Sequence, residues 1–169
     1  MHKMGGIYEF SELNPKRYFQ LVALDMTNLN SDVIAVFQPV DLPNTLSPEE
    51  RIQQILQTKV EFFTHTMVPL GVKQGVWSKI GSATPVSFKD ALFKDIFYKD
   101  GLLPDVEPYE ADHYHSWVIW HVGGEQRKIG AKVERYPQAE LGHVYPPEDI
   151  IHRVVHGKYL GVPYYGQVR

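Results

Sequence analysis

The chain contains no cysteine. Disulfide bridges, thiolate zinc sites and cysteine nucleophiles are therefore excluded. Long apolar runs are missing as well, since no stretch approaches the roughly 18 residues that a membrane-spanning helix needs. The first ten residues also lack the apolar segment of a secretory signal. We therefore expect a soluble protein of the cytoplasm with no membrane partner.

Clusters of positive charge are also missing. The 169 residues include 17 Lys and Arg against 20 Asp and Glu, which gives a formal net charge of −3. The longest basic runs are the pairs Lys16-Arg17 and Arg127-Lys128. A nucleic-acid-binding protein needs a basic face, so we expect no nucleic-acid partner.

Sequence signatures of several enzyme classes are absent too. The chain has no nucleophile elbow, Walker A sequence, glycine-rich dinucleotide fingerprint or His-Glu-x-x-His motif. The pairs Gly5-Gly6 and Gly123-Gly124 are typical of turns. We therefore expect no cofactor.

Turn residues and apolar residues are abundant instead. The chain carries 13 Gly and 12 Pro, with 43% hydrophobic and 22% charged residues, which is typical of a globular protein with many turns and short strands. Neither a repeat nor a linker is visible, so residues 1–169 are predicted to form one domain. Apolar and aromatic segments predict strands at 7–10, 17–26, 33–38, 60–68, 77–81, 114–122, 127–134 and 141–145.

Two helices have clear start signals. Ser47-Pro48-Glu49-Glu50 combines a capping serine, a proline suited to the first turn and a glutamate that closes a capping box, which predicts a helix at 48–59. Pro146-Pro147-Glu148-Asp149 begins a second helix that ends before Gly157. Residues 87–98 fit a helix followed by a strand. The predicted fold class is α+β, mainly β, with an antiparallel, partly barrel-like sheet and two short helices.

A histidine-rich segment is the strongest candidate for metal binding or acid-base chemistry. One face of the predicted strand carries every second side chain, namely His113, His115, Trp117, Ile119 and His121. Imidazoles bind transition metals, and Glu110 or Asp112 would add a carboxylate oxygen. Tryptophan and isoleucine on the same face favour packing, so we interpret the three histidines as structural and keep metal binding as the alternative.

The remaining histidines give weaker signals. His65 and His143 stand singly in predicted strands. His152 and His156 are four residues apart on the second helix, a spacing that fits shared metal ligation. The interpretation that we favour places this pair on the solvated side of the helix near its C-terminus, where positive charge is tolerated.

An acidic segment is the second candidate. Asp105, Glu107, Glu110 and Asp112 place four carboxylates in eight residues, with no Lys or Arg among them. Such a patch fits a basic partner and favours fast, specific association. Tyr109 and Tyr114 stand beside it, and tyrosine is enriched in protein interfaces. These six residues are the predicted contact surface, with a solvated loop as the alternative.

Five short segments follow one another in a characteristic order. They are Gly-Ile-Tyr-Glu-Phe at 6–10, Tyr-Phe-Gln-Leu-Val at 18–22, Val-Ile-Ala-Val-Phe at 33–37, Gly-Val-Trp-Ser-Lys-Ile-Gly at 75–81, and Ile-Ile-His-Arg-Val-Val-His-Gly-Lys at 150–158. Together they resemble the immunity protein 26 family of bacterial polymorphic toxin systems. Its members are small β-rich cytosolic domains that open with a Gly-Asp-hydrophobic strand and carry a Trp-x-x-Ile-Gly segment. Gly6 stands where the opening acidic residue is expected.

The resemblance implies a protein that binds a cognate protein toxin and blocks it, and it transfers no catalytic residue. The family grouping has also been associated with a phosphotriesterase-like activity. A metal-dependent hydrolase is therefore the alternative function, with His113, His115 and His121 holding a metal-bound water. A housekeeping interaction module without a toxin is the third interpretation.

Overall fold

The computed structural model describes residues 4–98, 115–130 and 132–160, with the side chains of 97, 98, 115 and 116 left out of that description. The strands are β1 Gly6–Phe10, β2 Tyr18–Asp25, β3 Ser31–Phe37, β4 Val60–Thr66, β5 Trp77–Ser82, β6 Leu92–Tyr98, β7 His115–His121, β8 Arg127–Gly130, β9 Glu140–Leu141 and β10 Val144–Tyr145. The helices are α1 Pro48–Gln57, α2 Val68–Lys73 and α3 Pro147–His156, with a 3₁₀ turn at Val133–Arg135.

The described strands form two sheets. The first has six strands in the order β10-β4-β3-β2-β1-β5, and the second has four in the order β8-β7-β6-β9. Pairing is antiparallel except for the short strands β10 and β9, which run parallel to β4 and β6. The α+β class dominated by strands is confirmed, with two mixed sheets in place of one antiparallel sheet. The barrel-like closure stays a prediction.

The six-stranded sheet is buried on both faces. Side chains alternate between the two faces of a strand, and seven of the eight β2 residues and all seven β3 residues are buried. One face packs against α2 and α3 in a cluster that contains Ile34, Val68 and Ile150. The other face packs against the second sheet through Val33 and Phe93. The strand predicted at 17–26 is therefore confirmed as β2, and the structure shows that it is buried on both faces.

The two predicted helices begin where their capping signals indicate. The Ser47 hydroxyl accepts from the Glu50 amide at 3.2 Å, and the Glu50 carboxylate accepts from the Ser47 amide at 2.8 Å. Ile55 of α1 packs with Ile7 of β1. α3 ends at Gly157, whose φ of 74° is the left-handed conformation that favours glycine. None of the described helices has the length and apolar character to cross a bilayer.

A third helix replaces the end of one predicted strand. β4 stops at Thr66, and α2 begins at Val68, within the segment 60–68 that was predicted to be extended. The Asp32 carboxylate accepts from the Val68 amide at 2.8 Å, and the Val68 carbonyl accepts from the Trp77 indole at 2.9 Å. Asp32 lies 36 residues before Val68 and Trp77 lies beyond the end of α2, so the local pattern of 60–68 gave no sign of either partner.

Two further predictions are wrong in detail. Residues 87–91 contain a turn in place of the predicted helix. β6 already begins at Leu92, because residues 92–98 pair with β7 from His121 back to His115. The predicted strand 141–145 is divided between the two sheets, since β9 pairs with β6 and β10 pairs with β4. The chain crosses from one sheet to the other at Gly142 and His143.

Candidate functional site

Most of the predicted contact residues lie outside the described residues. These are Asp105, Glu107, Tyr109, Glu110, Asp112 and Tyr114, together with His113. The structure does describe the two strand ends that flank this segment. Tyr98 at the end of β6 is paired with His115 at the start of β7. The sixteen intervening residues therefore connect two directly paired strand ends and carry the four carboxylates between 105 and 112.

The length of this connection is unusual. Hairpin loops commonly contain 2–5 residues, and connections longer than about 12–15 residues are usually functional or disordered. A connection of this length is not needed to join strands that already pair at their ends. The sequence 99–114 is therefore the part of the chain that the fold itself does not explain.

The three candidate metal-binding histidines do not form one site. His115 and His121 are the first and last residues of β7, and six steps at about 3.3 Å separate their Cα atoms by about 20 Å. Two imidazoles on one ion have their nitrogens only about 3 Å apart, given metal–nitrogen bonds of about 2.0–2.1 Å. His121 instead contacts the Ala91 carbonyl through Nδ1 at 2.9 Å. The described residues contain no group of three or more potential metal ligands.

A buried polar centre joins the two sheets. Asp25 at the end of β2 accepts a hydrogen bond from the Trp120 indole of β7 at 3.1 Å. The same carboxylate oxygen lies 3.1 Å from Nε2 of His65 on β4. The side chains of Asp25 and His65 are both fully buried, and the His65 ring packs on Phe93 with ring centres 4.1 Å apart. The centre connects three strands that are far apart in sequence.

Electrostatics fix the protonation of this centre at neutral pH. Burial by itself raises the pKa of Asp25, but hydrogen bonds from His65, Trp120 and Asn28 outweigh it and hold this pKa below its usual value. Burial lowers the pKa of His65, against the opposing effect of Asp25. The centre is therefore a carboxylate beside a neutral imidazole. Nε2 carries the proton because it faces the carboxylate, and Nδ1 is a buried acceptor without a hydrogen-bond partner among the described residues.

The protonation of this centre leads us to predict that the free energy of unfolding decreases in acid. The pKa of His65 is lower when folded than its usual value of about 6.5. Below about pH 6.5 the unfolded chain therefore binds more protons than the folded protein does. The free energy of unfolding of the protein consequently decreases as the pH falls. Asp25 adds a second loss below about pH 4, for the same reason. Urea denaturation at pH 8, 6.5 and 5 will measure the first effect.

A His65→Gln variant is the control for this pH dependence. Its free energy of unfolding should change less between pH 8 and pH 5 than that of the natural chain, because one titrating group is gone. One proton changes the free energy by at most about 1.4 kcal/mol per pH unit. Equal slopes in the two proteins would show that His65 does not contribute.

A second charged cluster lies between α3 and the edge of the second sheet. Arg153 donates to the Glu140 carboxylate at 2.7 Å. Its guanidinium lies 4.4 Å from the Phe62 ring centre and 4.8 Å from that of Tyr159, a cation–π contact on two sides. Burial raises the pKa of Glu140, although Arg153 and Lys94 oppose that rise. The ion pair of Arg153 with Glu140 therefore holds α3 against β9.

A half-open cleft of about 270 Å³ lies beside α1. It is lined by Glu9, Leu46, Pro48, Arg51, Ile52 and Ile80. The Tyr18 hydroxyl hydrogen-bonds to both Glu9 and Arg51, and Lys16 pairs with Glu9 at 2.7 Å. Lys16 thus already neutralises Glu9, and this carboxylate needs no ligand cation to balance it.

Exposed apolar side chains gather at one end of the six-stranded sheet. Leu24 lies opposite Asp32, which in turn lies opposite Thr66, so Leu24, Met26 and Met67 belong to the same end. Their exposed fractions are 40%, 66% and 46%. Methionine adapts to irregular partner surfaces. These three side chains form an exposed apolar surface at this end of the sheet.

The buried centre and the Arg153 cluster were not predicted from sequence. Asp25 lies within the predicted strand 17–26, and Arg153 lies on the second predicted helix, and neither pattern indicates a partner for these charges. Their partners are 40 to 95 residues away, or on a two-residue strand in the case of Glu140. Only pairing between distant strands brings these groups together, and a single sequence carries no signal for it.

The five segments that carry the family resemblance belong to the scaffold. Four of them fall in β1, β2, β3 and β5, which are adjacent in the sheet, and the fifth spans α3. A Cβ atom at Gly81 would lie 2.2 Å from Ile52 of α1, so this glycine allows α1 to approach the sheet.

Comparison of the chain with protein-family models, curated proteins and solved structures finds no match.

Proposed function

We propose that this chain is a non-catalytic immunity-type protein that binds a cognate bacterial toxin in the cytoplasm and blocks it. Two observations support the proposal. The segments that resemble the immunity protein 26 family form adjacent strands and a helix of one scaffold. The segment 99–114 connects the paired ends of β6 and β7 and carries four carboxylates between 105 and 112 without Lys or Arg among them.

The acidic connection carries the proposal. Its ends are paired at Tyr98 and His115, so the two-sheet scaffold holds both ends of the segment at one place. Between them, Asp105, Glu107 and the following carboxylates stand without Lys or Arg among them. An acidic surface of this kind attracts a basic partner surface and repels acidic ones, which provides association rate and specificity. The proposed toxin therefore presents a basic surface.

The buried centre is consistent with this proposal because its groups are used internally. Asp25 and His65 are both fully buried, and the carboxylate is shared by two donors. A general base has to reach a substrate proton within hydrogen-bond distance. The only Asp–His pair among the described residues is therefore placed to hold strands together.

Neutralising the acidic connection tests the proposal. We expect the gene of the cognate toxin to lie next to the gene of this chain. A variant with Asp105→Asn, Glu107→Gln, Glu110→Gln and Asp112→Asn should bind this toxin at least about tenfold more weakly than the natural chain does. Most of the loss should appear in the association rate, because charge steering changes that rate by about 10–10³-fold. Surface plasmon resonance at 50 and 300 mM salt will measure both rates. The natural chain should show the steeper salt dependence.

A matched control separates local charge from total charge. Glu12→Gln, Asp41→Asn, Glu125→Gln and Glu134→Gln remove the same number of exposed carboxylates from the described surface. This control variant should retain toxin binding to within about twofold. If both variants bind equally, or if the natural chain forms no complex with the toxin, the proposed contact is wrong.

The hydrolase alternative is not proposed. It requires His115 and His121 to share an ion, and their positions at opposite ends of β7 prevent this.

A further inference from the structure

Two histidines lie side by side at the C-terminal end of α3. His152 and His156 are one turn apart, and their ring centres are 4.4 Å apart with an angle of 45° between the planes. His156 is exposed and His152 is partly exposed. Residues at i and i+4 lie above one another on the same side of a helix. The pair is therefore open to solvent on a rigid element.

A backbone hydrogen bond fixes the tautomer of His152. Its Nδ1 lies 2.6 Å from the Lys158 carbonyl oxygen. A carbonyl only accepts, so Nδ1 donates, and Nε2 of the neutral ring has a free lone pair. Histidines that bind metals usually donate their other ring nitrogen to a carbonyl or carboxylate in this way, which orients the ring and increases its basicity. His152 thus has the second hydrogen bond that a metal ligand requires.

The spacing of the rings matches chelation by both histidines. A ring radius of about 1.1 Å added to a metal–nitrogen bond of about 2.0–2.1 Å places each ring centre about 3.2 Å from the ion. Two ligands at 90° then have ring centres about 4.5 Å apart, and two at the tetrahedral angle about 5.2 Å. The observed 4.4 Å fits the 90° arrangement. Square or tetragonal geometry with nitrogen and oxygen ligands is typical of Cu²⁺ and Ni²⁺.

The position on the helix suits a cation. The C-terminal end of a helix carries partial negative charge from its free carbonyl groups, and His156 is the last residue of α3. Glu148 stands one turn before His152 on the same side and is exposed. Arg153, the nearest fixed cation on the helix, is already paired with Glu140. The local charge therefore does not oppose a divalent ion.

We propose that His152 and His156 form a binding site for a divalent transition-metal ion, with Cu²⁺ bound more tightly than Ni²⁺ or Zn²⁺. The two Nε2 atoms supply the protein ligands, and water fills the remaining positions. The order of affinity follows both the ring spacing and the general preference of nitrogen ligands for Cu²⁺. Because one ion joins two successive turns, binding also stabilises the end of α3. This site is independent of the proposed toxin contact.

Titration with Cu²⁺ alone tests the site. Every protein carries His2→Ala, so that this histidine cannot contribute Cu²⁺ binding of its own. After treatment with a chelator, the His2→Ala protein should bind one Cu²⁺ at this site, with an electron paramagnetic resonance spectrum of two coordinated nitrogens. His152→Ala and His156→Ala should each weaken that binding at least tenfold. The thermal midpoint of the His2→Ala protein should rise with Cu²⁺, since a ligand of the folded state stabilises it.

Two controls keep the test decisive. His156→Ala retains the His152–Lys158 hydrogen bond, so lost binding in this variant is not explained by fraying of the helix end. His121→Ala removes an exposed histidine from another element and should leave Cu²⁺ affinity unchanged. Unchanged Cu²⁺ affinity in His156→Ala, or tighter binding of Zn²⁺ than of Cu²⁺, would overturn the proposal.

Discussion

Replacing Asp25 by alanine should lower the free energy of unfolding by about 3–5 kcal/mol. The substitution leaves the Trp120 indole and the His65 imidazole as buried donors without their acceptor, at about 1–3 kcal/mol each. It also frees the Asn28 amide of the β2–β3 turn. Removing the carboxylate recovers its own cost of burial, which offsets part of the loss. Urea denaturation followed by circular dichroism will measure the change.

Two further variants locate this effect. Trp120→Phe removes one donor while the His65 contact remains, so it should cost about 1–3 kcal/mol. Asp41→Ala removes an exposed carboxylate and should stay within about 0.5 kcal/mol of the natural chain. If Asp25→Ala is no more costly than Asp41→Ala, the buried centre does not join the sheets.

Replacing Trp77 by alanine should also cost about 3–5 kcal/mol, the usual range for a buried tryptophan. The side chain is 1% exposed, and its ring meets Phe19 edge-on with centres 5.2 Å apart. A Cβ atom at Gly71 would lie 2.1 Å from the indole, so α2 packs directly on this ring. Its nitrogen also donates to the Val68 carbonyl. The cavity would therefore open between α2 and the six-stranded sheet.

The Trp77 result can be compared with two milder changes. Trp77→Phe keeps an aromatic ring but loses the hydrogen bond and part of the volume, so it should be less destabilising than alanine. Val72→Ala on α2 removes a side chain that is 41% exposed and should cost less than about 1 kcal/mol. A Trp77→Ala protein as stable as Val72→Ala would contradict the packing described here.

Local chemistry explains which elements could be predicted. The capping box at Ser47 and Glu50 and the glycine after α3 depend only on neighbouring residues. α1 begins at this capping box, and α3 ends at Gly157. The apolar character of residues 17–26 on both faces likewise indicated a buried strand, which is β2 in the structure. These features required no knowledge of the rest of the chain.

Contacts between distant residues explain what could not be predicted. The four-residue spacing of Phe88, Leu92 and Ile96 fits a helix, yet pairing with β7 makes Leu92 and Ile96 part of a strand. The change of sheet at Gly142 depends on β4 and β6, which lie far upstream. Tertiary pairing overrides local preference in both places.

The candidate sites show the same division. The acidic segment and the pair His152 and His156 are visible in sequence because their members are close together along the chain. The buried centre of Asp25, His65 and Trp120 is visible only in the fold. The scaffold and the proposed contact are thus separate parts of the sequence. Buried strands form the framework, and the proposed contact lies in the acidic segment between β6 and β7.

The stoichiometry of inhibition tests the central claim most directly. Purified toxin from the adjacent gene is mixed with increasing amounts of this chain, at concentrations far above the dissociation constant, and the remaining toxin activity is measured. Activity should fall in a straight line to zero at one chain per toxin and then stay constant with time. Complete inactivation of the toxin at a molar ratio far below one chain per toxin would contradict neutralisation by binding. Full toxin activity in an excess of the chain would contradict it as well.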